Sequence, residues 1–306
     1  MRFPALLRRI VTVSCGLAAT LGLGSLGAVA QAAPDPAAGP VQTNIVSAAW
    51  YALAHTKASP PGANDWSCRP TAKHPRPVVL SNGTGANAYD DWAAVSPALA
   101  ADGYCVFAPN LGGPDGGMFQ AIGDIPTTAR QFAAYVDKVL AATGTSKVDV
   151  VGHSQGGMMP RYYLKYLGGA SKVGALVGLA PSNHGTDLSG LVHVVQALPG
   201  GNTFVAALCQ ACTQQEFNSG FIKDLNAGGD TVPGVRYTVV ATKTDEVVTP
   251  YTSSFLSGAN VVNTTLQNYC AIDGTEHIGI TYDRIAIRLV RNALDPSSAR
   301  TPNCLT

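Results

Sequence analysis

The chain has 306 residues, of which 46% are hydrophobic and 13% are charged, and its formal net charge is +1. Such a weak and balanced charge excludes a basic field able to attract nucleic acid or an anionic membrane surface. The length suits one enzyme domain with a large buried sheet.

The first 33 residues have the composition of an export signal. Arg2, Arg8 and Arg9 precede an apolar stretch over residues 10–30, and alanines at positions 28, 30 and 32 have A-x-A spacing. We predict a secretory signal peptide over residues 1–33, so the protein is expected to be secreted and extracellular. A membrane anchor is the alternative, which the many Gly, Ser and Thr residues of the stretch disfavour. Without the three arginines the formal charge is −2.

The rest of the chain alternates strand and helix patterns. After a Pro-rich linker and N-terminal helix at residues 34–60, a catalytic domain is expected over residues 61–306. Buried strands are predicted at residues 77–81, 103–108, 148–151, 173–180, 235–241 and 259–264, and helices at 42–54, 90–101, 125–142, 158–167 and 279–293. This alternation predicts an α/β fold, with a mostly parallel, doubly wound sheet and helices on both faces. Residues from about 182 to 231 interrupt it and are expected to form a small cap insertion above the carboxyl ends of the strands.

The most informative motif is Gly152-His153-Ser154-Gln155-Gly156, between a predicted strand and a predicted helix. A serine in such a turn adopts a strained backbone and projects Oγ from the top of the sheet, while the N–H of Gln155 can stabilise an oxyanion. The motif predicts a serine hydrolase that transfers acyl groups. A Gly-rich turn capping a helix is the alternative.

A nucleophilic serine needs a base and an acid that orients the base, in the chain order Ser, Asp or Glu, His. Asp245 directly follows a predicted strand, and His277 lies in a loop before the last helix. These two are the expected partners of Ser154. The alternatives are Glu246, Asp273 and Asp230 for the acid; for the base they are His153, His184 and His193, while His55 and His74 precede the core.

A second oxyanion donor is expected from the loop after the first core strand. Thr84, in Gly83-Thr84-Gly85, fits this position, and its hydroxyl could add a further donor. An ordinary turn is the alternative interpretation.

Six cysteines follow the signal peptide, and an even number in an exported chain indicates disulfides. Proximity favours Cys209–Cys212, and topology favours Cys68–Cys105 and Cys270–Cys304. A redox role for Cys209 and Cys212 lacks a thioredoxin-like setting, and no His pair with zinc-finger spacing follows. No metal or organic cofactor is expected.

Three segments carry a family resemblance: residues 80–85, 153–157 and 244–250. They resemble those of secreted bacterial class 2 lipases of the α/β-hydrolase superfamily and of Candida-type lipase B, and the similarity runs from about Cys68 to Cys304. The resemblance implies an α/β-hydrolase fold, a triad of Ser154, Asp245 and His277, and oxyanion donors at Thr84 and Gln155. The context of His277 is similar to the bacterial class, and Cys209–Cys212 is not a lipase B feature.

The sequence therefore predicts a secreted carboxylic-ester hydrolase, a triacylglycerol lipase or esterase, which acts as a monomer on ester or lipid substrates without stable membrane insertion. An extracellular acyltransferase with the same triad and a noncatalytic lipid or glycan binder are the alternatives.

Overall fold

The computed structural model describes residues 37–189 and 201–306. The predicted signal peptide at residues 1–33, Cys15 within it and His193 lie outside these ranges. Within them, no helix is both long and apolar enough to cross a membrane.

Six parallel strands form one sheet in the order β2-β1-β3-β4-β5-β6. The strands are β1 (Val78–Ser81), β2 (Val106–Phe107), β3 (Val148–His153), β4 (Val173–Leu179), β5 (Arg236–Ala241) and β6 (Val261–Thr265). All residues of β1 and β3 are buried, which agrees with their continuous apolar runs in the sequence. The predicted parallel sheet is confirmed, with β3 near its centre.

Nine named α-helices connect and cover the strands within the described residues. They are α1 (Ile45–Ala54), α2 (Ala88–Trp92), α3 (Val95–Asp102), α4 (Ile125–Thr143), α5 (Gln155–Tyr166), α6 (Gly201–Leu208), α7 (Gln210–Gln214), α8 (Gly220–Asn226) and α9 (Arg284–Leu294). Ile125, Phe132 and Met158 from α4 and α5 pack on one face of the sheet. Trp92 and Leu289, from α2 and α9, belong to the core on the other face.

The single helix predicted at residues 90–101 is wrong, because the structure contains the two helices α2 and α3 there. Pro97 has no N–H to donate to the carbonyl of Ala93, four residues earlier. The Ala93 carbonyl instead accepts from the main-chain N–H of Gln42 at 3.2 Å. The chain therefore turns between the two helices.

Two other element boundaries also differ from the prediction. Strand β2 is shorter than residues 103–108, because the N–H groups of Gly103 and Tyr104 still bond to the last turn of α3. The last helix begins at Arg284 rather than 279, where Asp283 accepts from the N–H of Ala286 at 2.7 Å and caps it. The four residues before Asp283 form a separate 3₁₀ turn.

Helix α5 holds the segment between β4 and β5 through two cations. Arg161 is only 1% exposed and donates to the carbonyl oxygens of Asp230 at 2.9 Å and Asn183 at 3.1 Å. Lys165 donates to three carbonyl oxygens at the end of α8, those of Leu225, Ala227 and Gly229. Burial lowers the pKa of Arg161 to about 10, so it remains a cation at neutral pH.

Three disulfide bonds join Cys68 to Cys105, Cys209 to Cys212 and Cys270 to Cys304. The second is local and encloses the start of α7. The third joins the segment after β6 to the C-terminal tail.

Candidate active site

Ser154 occupies the turn between β3 and α5 in a strained backbone conformation. Its φ is 53° and its ψ is −125°, a region that residues other than glycine rarely adopt. The Ser154 N–H donates to the carbonyl of Leu179 at 2.9 Å, so strand β4 fixes the turn. Strain held by the surrounding structure is typical of a nucleophile exposed above a parallel sheet.

The glycines of the motif are required by close backbone contacts. A Cβ at Gly152 would lie 1.9 Å from the carbonyl oxygen of Gly156, and a Cβ at Gly156 would lie 2.0 Å from that of Ser81. Helix α5 therefore leaves the sheet with its backbone against β1 and β3. The absence of side chains at these two positions lets the turn form.

Asp245 and His277 lie side by side beyond the carboxyl ends of β5 and β6. His277 Nδ1 lies 2.9 Å from Asp245 Oδ2, and both residues are buried. The other Asp245 oxygen accepts from the N–H groups of Val247 and Val248, at 2.9 and 2.7 Å. These bonds fix the direction of the carboxylate. The contact with Asp245 uses Nδ1 of the imidazole, which leaves Nε2 for another partner.

The other acidic candidates have different partners. Glu246 accepts from the main-chain N–H of His277 at 3.2 Å, Asp273 accepts from the N–H of Thr275, and Asp230 contacts Arg161 and His184. Among the candidates for the orienting acid, Asp245 is the one that contacts the His277 imidazole. Glu246 holds the backbone of the same histidine.

Hydrogen bonds from two threonines also hold the loop of His277. The hydroxyls of Thr242 and Thr244 each donate to the carbonyl of Thr275 at 2.6 Å. The segment after β5 therefore fixes the loop that carries the histidine as well as its ring.

The two residues expected to donate to the oxyanion, Thr84 and Gln155, have side chains in a polar cluster that also contains Gln215 and Ser182. The Thr84 hydroxyl donates to Gln155 Oε1 at 3.0 Å, so in this structure its proton is used in a bond to a side chain. Gln215 Nε2 donates to Thr84 Oγ1 at 2.8 Å and to Gln155 Oε1 at 3.2 Å, while its Oε1 accepts from Ser182 at 2.7 Å. Sequence reasoning missed Gln215 and Ser182, because they lie in the segment for which no motif was identified.

His153 connects Ser154 to the loop of His277. Its Nε2 lies 3.0 Å from the carbonyl oxygen of His277, and the two imidazole centroids are 4.9 Å apart. A Cβ at Gly83 would lie 3.1 Å from Ser154 Cβ, so the Thr84 loop packs directly against the serine. The serine turn thus contacts the loop of His277 through His153 and the Thr84 loop through Ser154. His184, His55 and His74 contact other parts of the molecule.

The parallel sheet, the strained serine turn and the Asp–His pair at the same end define the fold as an α/β-hydrolase. Two lipases are among the solved structures that share this fold. Aspergillus fumigatus lipase B has a TM-score of 0.60 and 23% identity, covering 80% of this chain and 60% of that one. The mature form of Bacillus licheniformis lipase BlEst2 has a TM-score of 0.56 and 17% identity, covering 74% of this chain and 94% of that one.

The model of the class 2 lipase family matches residues 75–288, and the chain belongs to this family, which confirms the predicted resemblance. A triacylglycerol lipase from Pseudarthrobacter phenanthrenivorans is 40% identical over 91 residues, 28% of this chain and 27% of that protein. One from Burkholderia plantarii is also 40% identical over 91 residues, 28% of this chain and 24% of that protein. The aligned segment covers about a quarter of the length of these relatives.

Proposed function

We propose that this protein is a serine carboxylic-ester hydrolase, a triacylglycerol lipase or esterase that works through an acyl-enzyme. The observation that carries the proposal is the strained Ser154 turn, whose His153 contacts the backbone of His277 in the buried Asp245–His277 pair. Membership of the class 2 lipase family and the similarity to two triacylglycerol lipases support the substrate class.

The proposed reaction begins when Ser154 Oγ attacks the ester carbonyl carbon and His277 Nε2 takes the hydroxyl proton. Asp245 holds the ring through Nδ1 and stabilises the imidazolium that forms. The oxyanion of the tetrahedral intermediate accepts hydrogen bonds from the main-chain N–H groups of Thr84 and Gln155.

Collapse of the intermediate breaks the bond between the carbonyl carbon and the alkoxy oxygen, and His277 returns the proton to the leaving alcohol. Water then attacks the acyl-Ser154 ester, again with His277 as base, and releases the carboxylic acid. The step regenerates the free serine.

We also propose that the protein is secreted. Three disulfides among the described residues suit an oxidising compartment, and the composition of residues 1–33 is that of a signal peptide. N-terminal sequencing of the protein in the culture supernatant and in the cells tests this. A chain that is retained in the cells with residue 1 intact would contradict export.

Fluorophosphonate labelling followed by peptide mapping tests the nucleophile. Wild-type protein is expected to be labelled at Ser154, and Ser154→Ala is expected to remain unlabelled and to lose at least about 10³-fold in kcat while keeping its melting temperature. Hydrolysis of a p-nitrophenyl ester series beside an emulsified triglyceride distinguishes esterase from lipase activity. Labelling at a different serine, or no hydrolysis of any ester, would refute the proposal.

A further inference from the structure

His153 lies between two hydrogen-bond acceptors. On one side Nδ1 is 2.9 and 3.1 Å from the two oxygens of Asp91, and on the other Nε2 is 3.0 Å from the carbonyl oxygen of His277. The histidine is 4% exposed and Asp91 is 1% exposed, so bulk water does not replace either partner.

A neutral imidazole has one donor nitrogen and one acceptor nitrogen, whereas an imidazolium has two donors. With a carboxylate facing Nδ1 and a carbonyl facing Nε2, only the imidazolium satisfies both bonds. Asp91 Oδ2 also accepts from the main-chain N–H of Gly83 at 2.7 Å, so the carboxylate contacts the ring and the Thr84 loop at once.

The charges around His153 support this protonation state. Burial lowers the pKa of His153, but the charge and hydrogen bond of Asp91, the His277 carbonyl and the charge of Asp245 outweigh it, so the pKa lies above the ordinary value of 6.5. Burial, and then the charge of Asp91, raise the pKa of Asp90 to about 8, so Asp90 is neutral at pH 7. Tyr282 faces the same cluster, where its phenol donates to the main-chain oxygen of Asp90.

Together these bonds join the two halves of the candidate site. Asp91 binds the backbone of Gly83, next to Thr84, and His153 binds the backbone of His277. Resting on the proposed function, we propose that His153 is a positively charged positioning residue, which with Asp91 fixes the Thr84 loop and the backbone of the base relative to Ser154.

Alkaline pH should release this connection. The carboxylate of Asp91 holds the proton on Nδ1 of His153, so deprotonation of the ring removes the proton on Nε2. The lone pair of Nε2 then faces a lone pair of the His277 carbonyl oxygen, and the hydrogen bond is lost. Because the pKa is raised in the folded state, the bond is fully present below about pH 6.5. It is lost as the pH rises through the folded pKa of His153, which gives kcat an alkaline limb.

Nuclear magnetic resonance of ring ¹⁵N nuclei, assigned by comparison with His153→Gln, tests the protonation directly. At pH 6 to 7 both ring nitrogens of His153 are expected to carry slowly exchanging protons. A single ring N–H with an unprotonated Nδ1 would mean that the Asp91 carboxyl holds the proton, which would overturn the proposal.

Kinetics separate a charged positioning role from a merely structural one. His153→Gln is expected to lower kcat about 10- to 100-fold with little change in KM, since a displacement of about 1 Å costs about 10²-fold. In Asp91→Asn, the amide can still accept from Gly83 and can donate to Nδ1 of His153. A neutral ring then keeps its proton on Nε2. The alkaline limb of kcat should therefore disappear, even if kcat itself is lower than in the wild type. His55→Gln, an exposed control on the end of α1, should keep the wild-type profile.

An alkaline limb that is unchanged in Asp91→Asn would contradict the proposal even if that variant is less stable. The resonance measurement on wild-type protein needs no substrate, so it judges His153 even if the protein hydrolyses no ester. Failure of fluorophosphonate labelling would refute the hydrolase instead.

Discussion

Replacing Gln215 with leucine removes the amide that donates to both Thr84 and Gln155. The buried Ser182 hydroxyl loses its acceptor at 2.7 Å, and Thr84 loses the donor at 2.8 Å. An unsatisfied buried polar group costs about 1 to 3 kcal/mol, so we expect the free energy of unfolding to fall by about that amount.

The effect on catalysis follows from the position of the two proposed oxyanion donors. Removing one such donor costs about 10²- to 10³-fold in kcat, and a displacement of about 1 Å costs about 10²-fold. Gln215 holds side chains of these residues but is not a proposed donor. We therefore expect Gln215→Leu to lower kcat for p-nitrophenyl butyrate about 10- to 100-fold with little change in KM.

Gln214→Leu is the matched control, one residue away. Gln214 contacts the start of α4, where Oε1 accepts from Ile125 N and Nε2 donates to Asp124, both at 2.8 Å. It should lower stability while leaving kcat near the wild-type value. If Gln215→Leu lost stability but kept kcat within about twofold, the inference that the cluster positions the oxyanion donors would be wrong.

Three further stability predictions follow from other contacts, and they are measured by soluble yield for the glycine variants and by chemical denaturation for the others. Gly156→Ala is expected to give little soluble protein, because the new Cβ would lie 2.0 Å from the rigid carbonyl of Ser81. Removing the Cys270–Cys304 bridge, whose ends are 34 positions apart, should cost about 3 to 4 kcal/mol through the entropy of the unfolded chain. Arg161→Met should cost about 3 to 5 kcal/mol, because it removes the guanidinium beside buried Asp230 and the donor to the Asp230 carbonyl.

Each of these changes has a control on the same molecule. Gly220→Ala introduces a Cβ with no atom within 4 Å and should be tolerated. Removing Cys209–Cys212, with a separation of 3, should cost less than removing the longer bridge. Arg130→Met changes an exposed side chain and should stay within about 0.5 kcal/mol. If a variant and its control lost the same amount of stability, the physical reason given for that variant would be wrong.

The central strands could be predicted from the sequence because parallel strands buried on both faces are short runs of β-branched and apolar residues. The serine turn could also be predicted, since its glycines are required by contacts within a few residues and with the neighbouring strand. For the break between α2 and α3, Pro97 is a local signal, but the contact that takes the Ala93 carbonyl comes from Gln42, outside the local pattern.

The candidate site divides in the same way. Chain order and the position of strand ends identify Asp245 and His277 as candidates. Only the structure shows that Asp245 contacts the ring of His277, whereas Glu246 contacts its main-chain N–H. His153 and Asp91 are 62 positions apart, and nothing in either local sequence indicates that they meet. Contacts of this kind depend on the packed fold.

Among the strands of residues 37–189 and 201–306, β6 is at the edge of the sheet and pairs with β5 alone, and the loop that follows it carries His277. That histidine comes 124 positions after His153, so during synthesis the serine turn leaves the ribosome well before the base. Under the proposed mechanism, a nascent chain would carry a nucleophile without its general base. Such a chain could not complete the proposed proton transfer until the loop of His277 had been added and folded.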